Sequence, residues 1–165
     1  RVVTIASQAH RMARQAPLDD PRLPARLHQR WQAYAMSKLA NLLFTFELER
    51  RAREQELPLR ALAAHPGYAA TALMGAGRID APTSMRTRIL SGAFAVAGQS
   101  AEMGALPTLM AATADLPGGT YVGPDGFAEM HGMPRVVTPR RLARNPETAR
   151  RLWELSEQAT GVRFP

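Results

Sequence analysis

The chain has 165 residues, 45% of them hydrophobic, with a formal net charge of +7 and no cysteine. This length and composition suit one globular domain with a buried core, and no apolar run reaches the roughly 18 to 20 residues that span a bilayer. The absence of cysteine excludes disulfide bonds and thiolate metal sites.

The net charge of the chain and its first residues indicate which partners and which cellular location to expect. The basic residues are scattered through the sequence with few aromatic residues between them, so we expect no nucleic-acid partner. The first residues resemble neither a secretory signal nor a transit peptide, and a chain without cysteine suits a reducing compartment. We therefore expect a cytoplasmic protein without a membrane span.

The chain begins directly in a β-branched apolar run, "VVTIAS" at residues 2–7. Such a run predicts a strand buried on both faces, as in the middle of a parallel sheet. A central strand at residue 2 has no earlier partner in the sequence, so we expect the sequence to start part-way through a domain. Residues 8–30 contain three prolines and no sustained period, which predicts a long connecting loop.

A helix and a second strand follow this loop. Apolar residues at helical spacing predict a helix from Trp31 to about Glu54, which Pro58 ends. The run from Leu59 to Ala64 predicts a short buried strand. Strand, helix and strand form a βαβ unit, whose two strands are parallel with a right-handed connection.

The remaining elements are shorter. Residues 68–98 have no regular period, and Ser100 is a candidate N-cap for a helix that continues past Pro107. "TYVG" at 120–123 predicts a third strand, followed by a turn at 123–126. The last helix is predicted to begin at Asn145-Pro146 and to end before Gly161.

Lys38 is the single lysine beside twenty arginines, and it lies four residues after Tyr34. This spacing places both side chains on one helical face, and a compact ammonium serves tasks that a planar guanidinium does not. Ser7 ends the first strand, and Pro66-Gly67 follows the second. Because α/β proteins bind ligands at the carboxyl edge of a parallel sheet, we expect these residues to open on one crevice.

The order "VVTIAS", "YAMSKLANLLFTFEL" and "HPGYAAT" resembles the short-chain dehydrogenase/reductase family. It is most similar to the branch that contains retinol dehydrogenase-like and protochlorophyllide reductase-like proteins. The resemblance implies an α/β fold in which residues 1–165 form the C-terminal half of a doubly wound Rossmann-type parallel sheet, without the N-terminal βαβ units. This half would be a partial NAD(P)-binding domain that carries the catalytic and substrate side.

The same resemblance implies an NAD(P)-dependent oxidoreductase that interconverts an alcohol and a carbonyl compound by hydride transfer, with NADP favoured over NAD. Tyr34 would be the acid/base, Ser7 would bind the substrate oxygen, and Lys38 would hold the nicotinamide ribose and favour the ionised phenol. The residues that would border the nicotinamide and phosphates are Pro66, Gly67, Ala69 and Thr71. The expected partner is a small-molecule alcohol or carbonyl substrate, and a homo-oligomer is compatible with the sequence.

One feature of the family is missing from the sequence. No glycine-rich phosphate loop follows a strand, and the resemblance places that loop in the other half of the domain. We therefore expect the 165-residue chain to be inactive by itself. Two alternatives remain open, namely a non-catalytic Rossmann-like binding or scaffold module and a basic interaction domain.

Other candidate residues have simpler interpretations. His65 is expected to be a packing or loop histidine, and Tyr121 and Trp153 are expected in the core. His10, His28 and His131 lack metal-ligand spacing, so we expect no metal site. "GPDGFAEMHGMP" at 123–134 resembles the substrate-side end of the same branch, without a role for any one residue.

Overall fold

The computed structural model describes residues 1–18, 30–68 and 99–164. Ala69 and Thr71, which the family resemblance assigns to the cofactor site, lie outside these ranges, as does His28.

A four-stranded sheet forms the middle of the described structure. Its strands are β1 (Val2–Ile5), β2 (Ala61–Ala64), β3 (Tyr121–Pro124) and β4 (Pro134–Val136), in the spatial order β1-β2-β3-β4. The first three strands are parallel, with Val2 opposite Ala61 and Ala63 opposite Tyr121, and β4 is antiparallel to β3. The α/β class and the parallel βαβ pair predicted from the sequence are confirmed.

In the described part of the chain three α-helices accompany the sheet: α1 (Arg30–Glu54), α2 (Ala101–Thr113) and α3 (Pro146–Thr160). The Ser100 hydroxyl accepts a hydrogen bond from the Met103 N–H at 3.3 Å, and the Asn145 side chain accepts one from the Thr148 N–H at 2.8 Å. Both predicted N-caps are therefore confirmed. Gly161 ends α3 in the left-handed conformation, with φ of 72°. No helix in the described ranges has the length and apolar character that crossing a bilayer requires.

The sheet separates two apolar layers because alternate residues of a strand face opposite sides. Ala63 and Tyr121 pack with the leucines of α1, which are Leu39, Leu42 and Leu43. Leu62 and Val122 point the other way and pack with Ala111 of α2. Trp153 of α3 packs with Leu48 and Ala61. The predicted core positions of Tyr121 and Trp153 are confirmed.

The structure corrects three sequence-based expectations and adds one strand. β1 is not buried on both faces, since Ile5 is 41% exposed, and within the described residues only β2 pairs with it. β2 begins at Ala61 rather than Leu59, because the Leu59 N–H bonds to the Leu57 carbonyl in a turn. Part of the loop predicted for residues 8–30 is a 3₁₀ turn, Gln8–Met12. The short strand β4 was missed because its pairing with β3 gives no local sequence signal.

Candidate functional site

Ser7 lies where β1 gives way to the Gln8–Met12 turn. Its backbone is extended, and its Oγ accepts a hydrogen bond from the Ala9 N–H at 3.2 Å, so Ser7 is the N-cap of that turn. The side chain is half-buried. A cap uses the oxygen as an acceptor, so the hydroxyl hydrogen can still donate to another group.

Tyr34 and Lys38 lie on one face of the first turns of α1. The Lys38 Nζ is 5.7 Å from the centroid of the Tyr34 ring, and it donates to the Ile5 carbonyl at 3.3 Å. Since Ile5 is the last residue of β1, the lysine joins α1 to the strand end that Ser7 follows. The structure thus brings Lys38 close to both Tyr34 and the end of β1.

Asn41 shares the same acceptor and was not identified from the sequence. Its Nδ2 donates to the Ile5 carbonyl at 2.9 Å, so this oxygen accepts hydrogen bonds from both Asn41 and Lys38. Asn41 is three residues after Lys38, and helical spacing was the signal that could have identified it. The two side chains together fasten α1 to β1.

The Pro66-Gly67 segment follows β2 and is held in a defined conformation. Gly67 has φ of 66°, and a Cβ placed there would lie 2.8 Å from the Pro124 Cγ and closer still to the Met130 carbonyl oxygen. The buried Gln99 donates from Nε2 to the Pro66 carbonyl at 2.6 Å and accepts from the Gly132 N–H at 3.1 Å. Gln99 was also missed, because these contacts join distant parts of the sequence.

His65 is fully buried, as expected for a packing residue. Its Nδ1 accepts from the Gly67 N–H at 3.2 Å, so the neutral ring carries its hydrogen on Nε2, which faces the Glu129 Oε2 at 3.1 Å. Burial, together with the charge of Arg11, lowers the pKa of His65 to about 4. The ring is therefore neutral at pH 7.

His10 is the second fully buried histidine. Its Nδ1 faces the Ser7 carbonyl at 2.7 Å, and its Nε2 accepts from the Arg140 N–H at 3.2 Å, so the hydrogen of the neutral ring is on Nδ1. Burial lowers the pKa of His10 to about 4. His10 thus supports the backbone of Ser7 as a neutral hydrogen-bond donor.

The Tyr121 ring lies between the two histidines. Its centroid is 5.7 Å from that of His10 and 5.2 Å from that of His65. Burial, reinforced by the negative charge of Glu129, raises the pKa of the Tyr121 phenol. Its hydroxyl has no hydrogen-bond partner among the described residues. The rings of His10, Tyr121 and His65 therefore form one neutral buried cluster next to Ser7 and Pro66.

Within the described ranges, no group of three or more His, Asp or Glu side chains could hold a metal ion.

The structure places the described residues of the predicted site on three segments. Ser7 follows β1, Tyr34 and Lys38 lie in the first turns of α1, and Pro66 and Gly67 follow β2.

Comparison with known proteins gives relatives of one kind. No family model matches the chain. The chain is 32% identical over its whole length to human retinol dehydrogenase 13, covering 47% of that protein, and 32% identical over 99% of its length to human retinol dehydrogenase 12, covering 46%. The chain thus spans about half the length of the curated relatives it matches.

A solved structure is similar as well. The crystal structure of an uncharacterized protein from Mycobacterium Paratuberculosis superposes with a TM-score of 0.72 at 41% identity. The similarity covers all of this chain and 52% of that one. This agreement fits the prediction of half of a Rossmann-type sheet.

Proposed function

Since the chain belongs to the short-chain dehydrogenase/reductase family, we propose that it carries the proton-transfer side of an NAD(P)-dependent oxidoreductase. The reaction interconverts an alcohol and a carbonyl compound, with Tyr34 as the acid/base. The observation that carries the proposal is the position of the Lys38 ammonium, which bonds to the end of β1 and lies 5.7 Å from the Tyr34 ring.

Each of the three side chains has a distinct task in this reaction. A carbonyl group that accepts hydride develops negative charge on its oxygen. Tyr34 gives that oxygen a proton, and the Ser7 hydroxyl donates a second hydrogen bond to it. The Lys38 ammonium, 5.7 Å from the ring centroid, offsets the negative charge that develops in the transition state. In alcohol oxidation the same groups work in reverse, with the phenolate of Tyr34 accepting the proton.

The described residues fit a nicotinamide cofactor. Lys38 has three N–H donors and uses one for Ile5, which leaves donors for the ribose hydroxyls. Gln99 donates to the Pro66 carbonyl and holds it in place, so the Pro66-Gly67 backbone has a fixed conformation that can border a flat ring. When bound, the nicotinamide supplies or accepts the hydride. NADP is proposed ahead of NAD on family resemblance alone.

The substrate class follows from the relatives. They are named retinol dehydrogenases, so a retinoid alcohol or aldehyde is the first small-molecule substrate to test. We propose a cytoplasmic enzyme, as the sequence led us to expect.

The test uses the full-length gene product that contains this chain. We expect it to quench or shift reduced-nicotinamide fluorescence on binding NADPH, and to oxidise NADPH when retinaldehyde or a smaller aldehyde is added. The 165-residue chain is measured in parallel and is expected to bind NADPH much more weakly, because its sequence has no glycine-rich phosphate loop after a strand. Cofactor binding without turnover of any aldehyde, ketone or alcohol would favour a binding or scaffold module.

A further inference from the structure

Three side chains converge on the carboxylate of Glu129. Gln8 Nε2 donates to Oε2 at 2.9 Å, His65 Nε2 is 3.1 Å from the same oxygen, and Arg11 Nη2 is 3.3 Å from Oε1. Only 15% of the Glu129 side chain is exposed. Arg11 Nε also donates to Gln8 Oε1 at 2.7 Å, which orients the amide so that its nitrogen faces Glu129. The Glu129 carboxylate thus accepts from one side chain on Oε1 and faces two on Oε2.

The three donors come from the two segments that follow β1 and β2. Gln8 and Arg11 belong to the Gln8–Met12 turn, whose N-cap is Ser7. His65 immediately precedes Pro66-Gly67 and accepts the Gly67 N–H. Glu129 is therefore the link between the segment assigned to the substrate oxygen and the segment assigned to the nicotinamide.

The backbone around Glu129 is in an unusual conformation. Ala128 and Glu129 have φ of 49° and 57°, in the left-handed region that residues with a Cβ seldom adopt. The next residue, Met130, accepts the Tyr68 N–H at 2.7 Å and occupies the space beside Gly67. Two consecutive strained residues persist only where surrounding contacts determine them. These contacts are the ones made to Gln8, His65 and Tyr68.

We propose that Glu129 is a positioning residue that fixes the Ser7 segment against the Pro66-Gly67 segment. In this role it keeps the substrate-oxygen donor at a constant distance from the face of the nicotinamide. This inference rests on the proposed function for its effect on the reaction, whereas the structural link itself does not. It gives a task to the sequence "GPDGFAEMHGMP", in which Glu129 lies.

Two substitutions separate positioning from general stability. Glu129→Ala removes both acceptor oxygens. Glu129→Gln keeps one oxygen that can accept from His65 while losing the ion pair with Arg11. Asp125→Ala is the matched control, because Asp125 lies in the same hairpin and its side chain accepts the Met133 N–H at 2.8 Å, a bond within the hairpin itself. All three variants are made in the full-length gene product.

The first measurement is NADPH affinity and turnover per folded molecule. We expect Glu129→Ala to weaken NADPH binding and to lower kcat, each by about tenfold, as is typical when a supporting partner of a site residue is removed. Glu129→Gln should recover most of the loss, and Asp125→Ala should lower Tm while leaving the NADPH Kd and kcat within about twofold of wild type. Equal losses for Glu129→Ala and Asp125→Ala would overturn the proposal.

The second measurement does not depend on activity. Nitrogen-15 NMR of the His65 ring reports which nitrogen carries the hydrogen, and amide hydrogen exchange reports on Gly67 and Ala9. We expect Glu129→Ala to disturb the His65 signal and to speed exchange at both amides together, and Asp125→Ala to leave them unchanged. Unaltered protection at either amide in Glu129→Ala would refute the link. If wild-type protein bound neither NADPH nor NADH, the proposed function would fail while this measurement would still decide the link.

Discussion

The Lys38 ammonium lies 3.3 Å from the carbonyl oxygen of Ile5, so the single lysine of the chain is fastened to the last residue of β1. The same nitrogen is 5.7 Å from the centre of the Tyr34 ring. A point charge on a flexible stem can satisfy the carbonyl and still reach the phenol and a ribose. The planar fork of arginine is longer and cannot be placed in the same way.

Substitution of Lys38 separates its charge from its shape. In the full-length protein we expect both Lys38→Arg and Lys38→Met to lower kcat/KM by about a hundredfold or more, since Met removes the charge and Arg places it elsewhere in the transition state. Neither should unfold the protein, because the side chain is only half-buried and the Ile5 carbonyl keeps its hydrogen bond from Asn41. Steady-state kinetics and thermal melting measure the two effects. Full activity of Lys38→Arg would mean that position 38 needs only a positive charge.

Removal of the Tyr34 hydroxyl tests the assigned acid/base. Tyr34→Phe keeps the ring, its edge contact with Trp31 at 6.1 Å between centroids, and its position beside Lys38. We expect NADPH affinity and Tm to stay near wild type while kcat falls by about 10² to 10⁴, the usual contribution of a general acid/base. Trp31→Phe is a control that alters the neighbouring ring without removing a proton donor. Turnover of Tyr34→Phe near the wild-type rate would exclude Tyr34 as the acid/base.

A methyl group at Gly67 should disrupt the segment after β2. Gly67 has φ of 66°, and its missing Cβ would overlap the Met130 carbonyl oxygen. We expect Gly67→Ala to lower the free energy of unfolding by about 2 kcal/mol or more, since strain and a steric clash add. Urea unfolding measures the loss.

Gly161→Ala is the matched control for that substitution. Gly161 has φ of 72°, but a Cβ there meets nothing within 4 Å. Gly161→Ala should therefore cost only the backbone strain, about 1 kcal/mol. Equal losses at the two positions would show that the contact with Met130 contributes nothing to the effect at Gly67.

The elements that could be predicted are those with local signals. α1 was predicted within one residue from its apolar spacing, and α3 from the Asn145 cap and Gly161. β4 could not be predicted, because three residues become a strand only through pairing with β3. In the same way, the Ser7, Tyr34 and Lys38 pattern was visible in the sequence. Glu129 was not assigned a role, because its partner His65 is 64 residues away in the sequence.

The buried histidines predict how stability depends on pH. Burial lowers the pKa of His10 and of His65 from 6.5 to about 4. Between these values the unfolded chain binds protons at both rings and the folded chain does not, so the free energy of unfolding falls as pH falls. The contribution that the two neutral rings make to the free energy of unfolding is complete above about pH 6.5, and it is lost as the pH approaches 4. By pH 5 we expect a loss of about 2 kcal/mol for each histidine.

Urea unfolding at pH 7 and pH 5 measures this loss, and His10→Gln identifies its source. A glutamine can donate to the Ser7 carbonyl and accept from the Arg140 N–H, as the neutral ring does, but it does not titrate. The variant should therefore show a difference between pH 7 and pH 5 that is smaller by about 2 kcal/mol than that of wild type. His131→Gln, at an exposed histidine, is the control for the substitution itself. A His10→Gln variant with the full wild-type pH dependence would contradict the view that His10 is buried as the neutral ring, because its protonation would then cost the fold nothing.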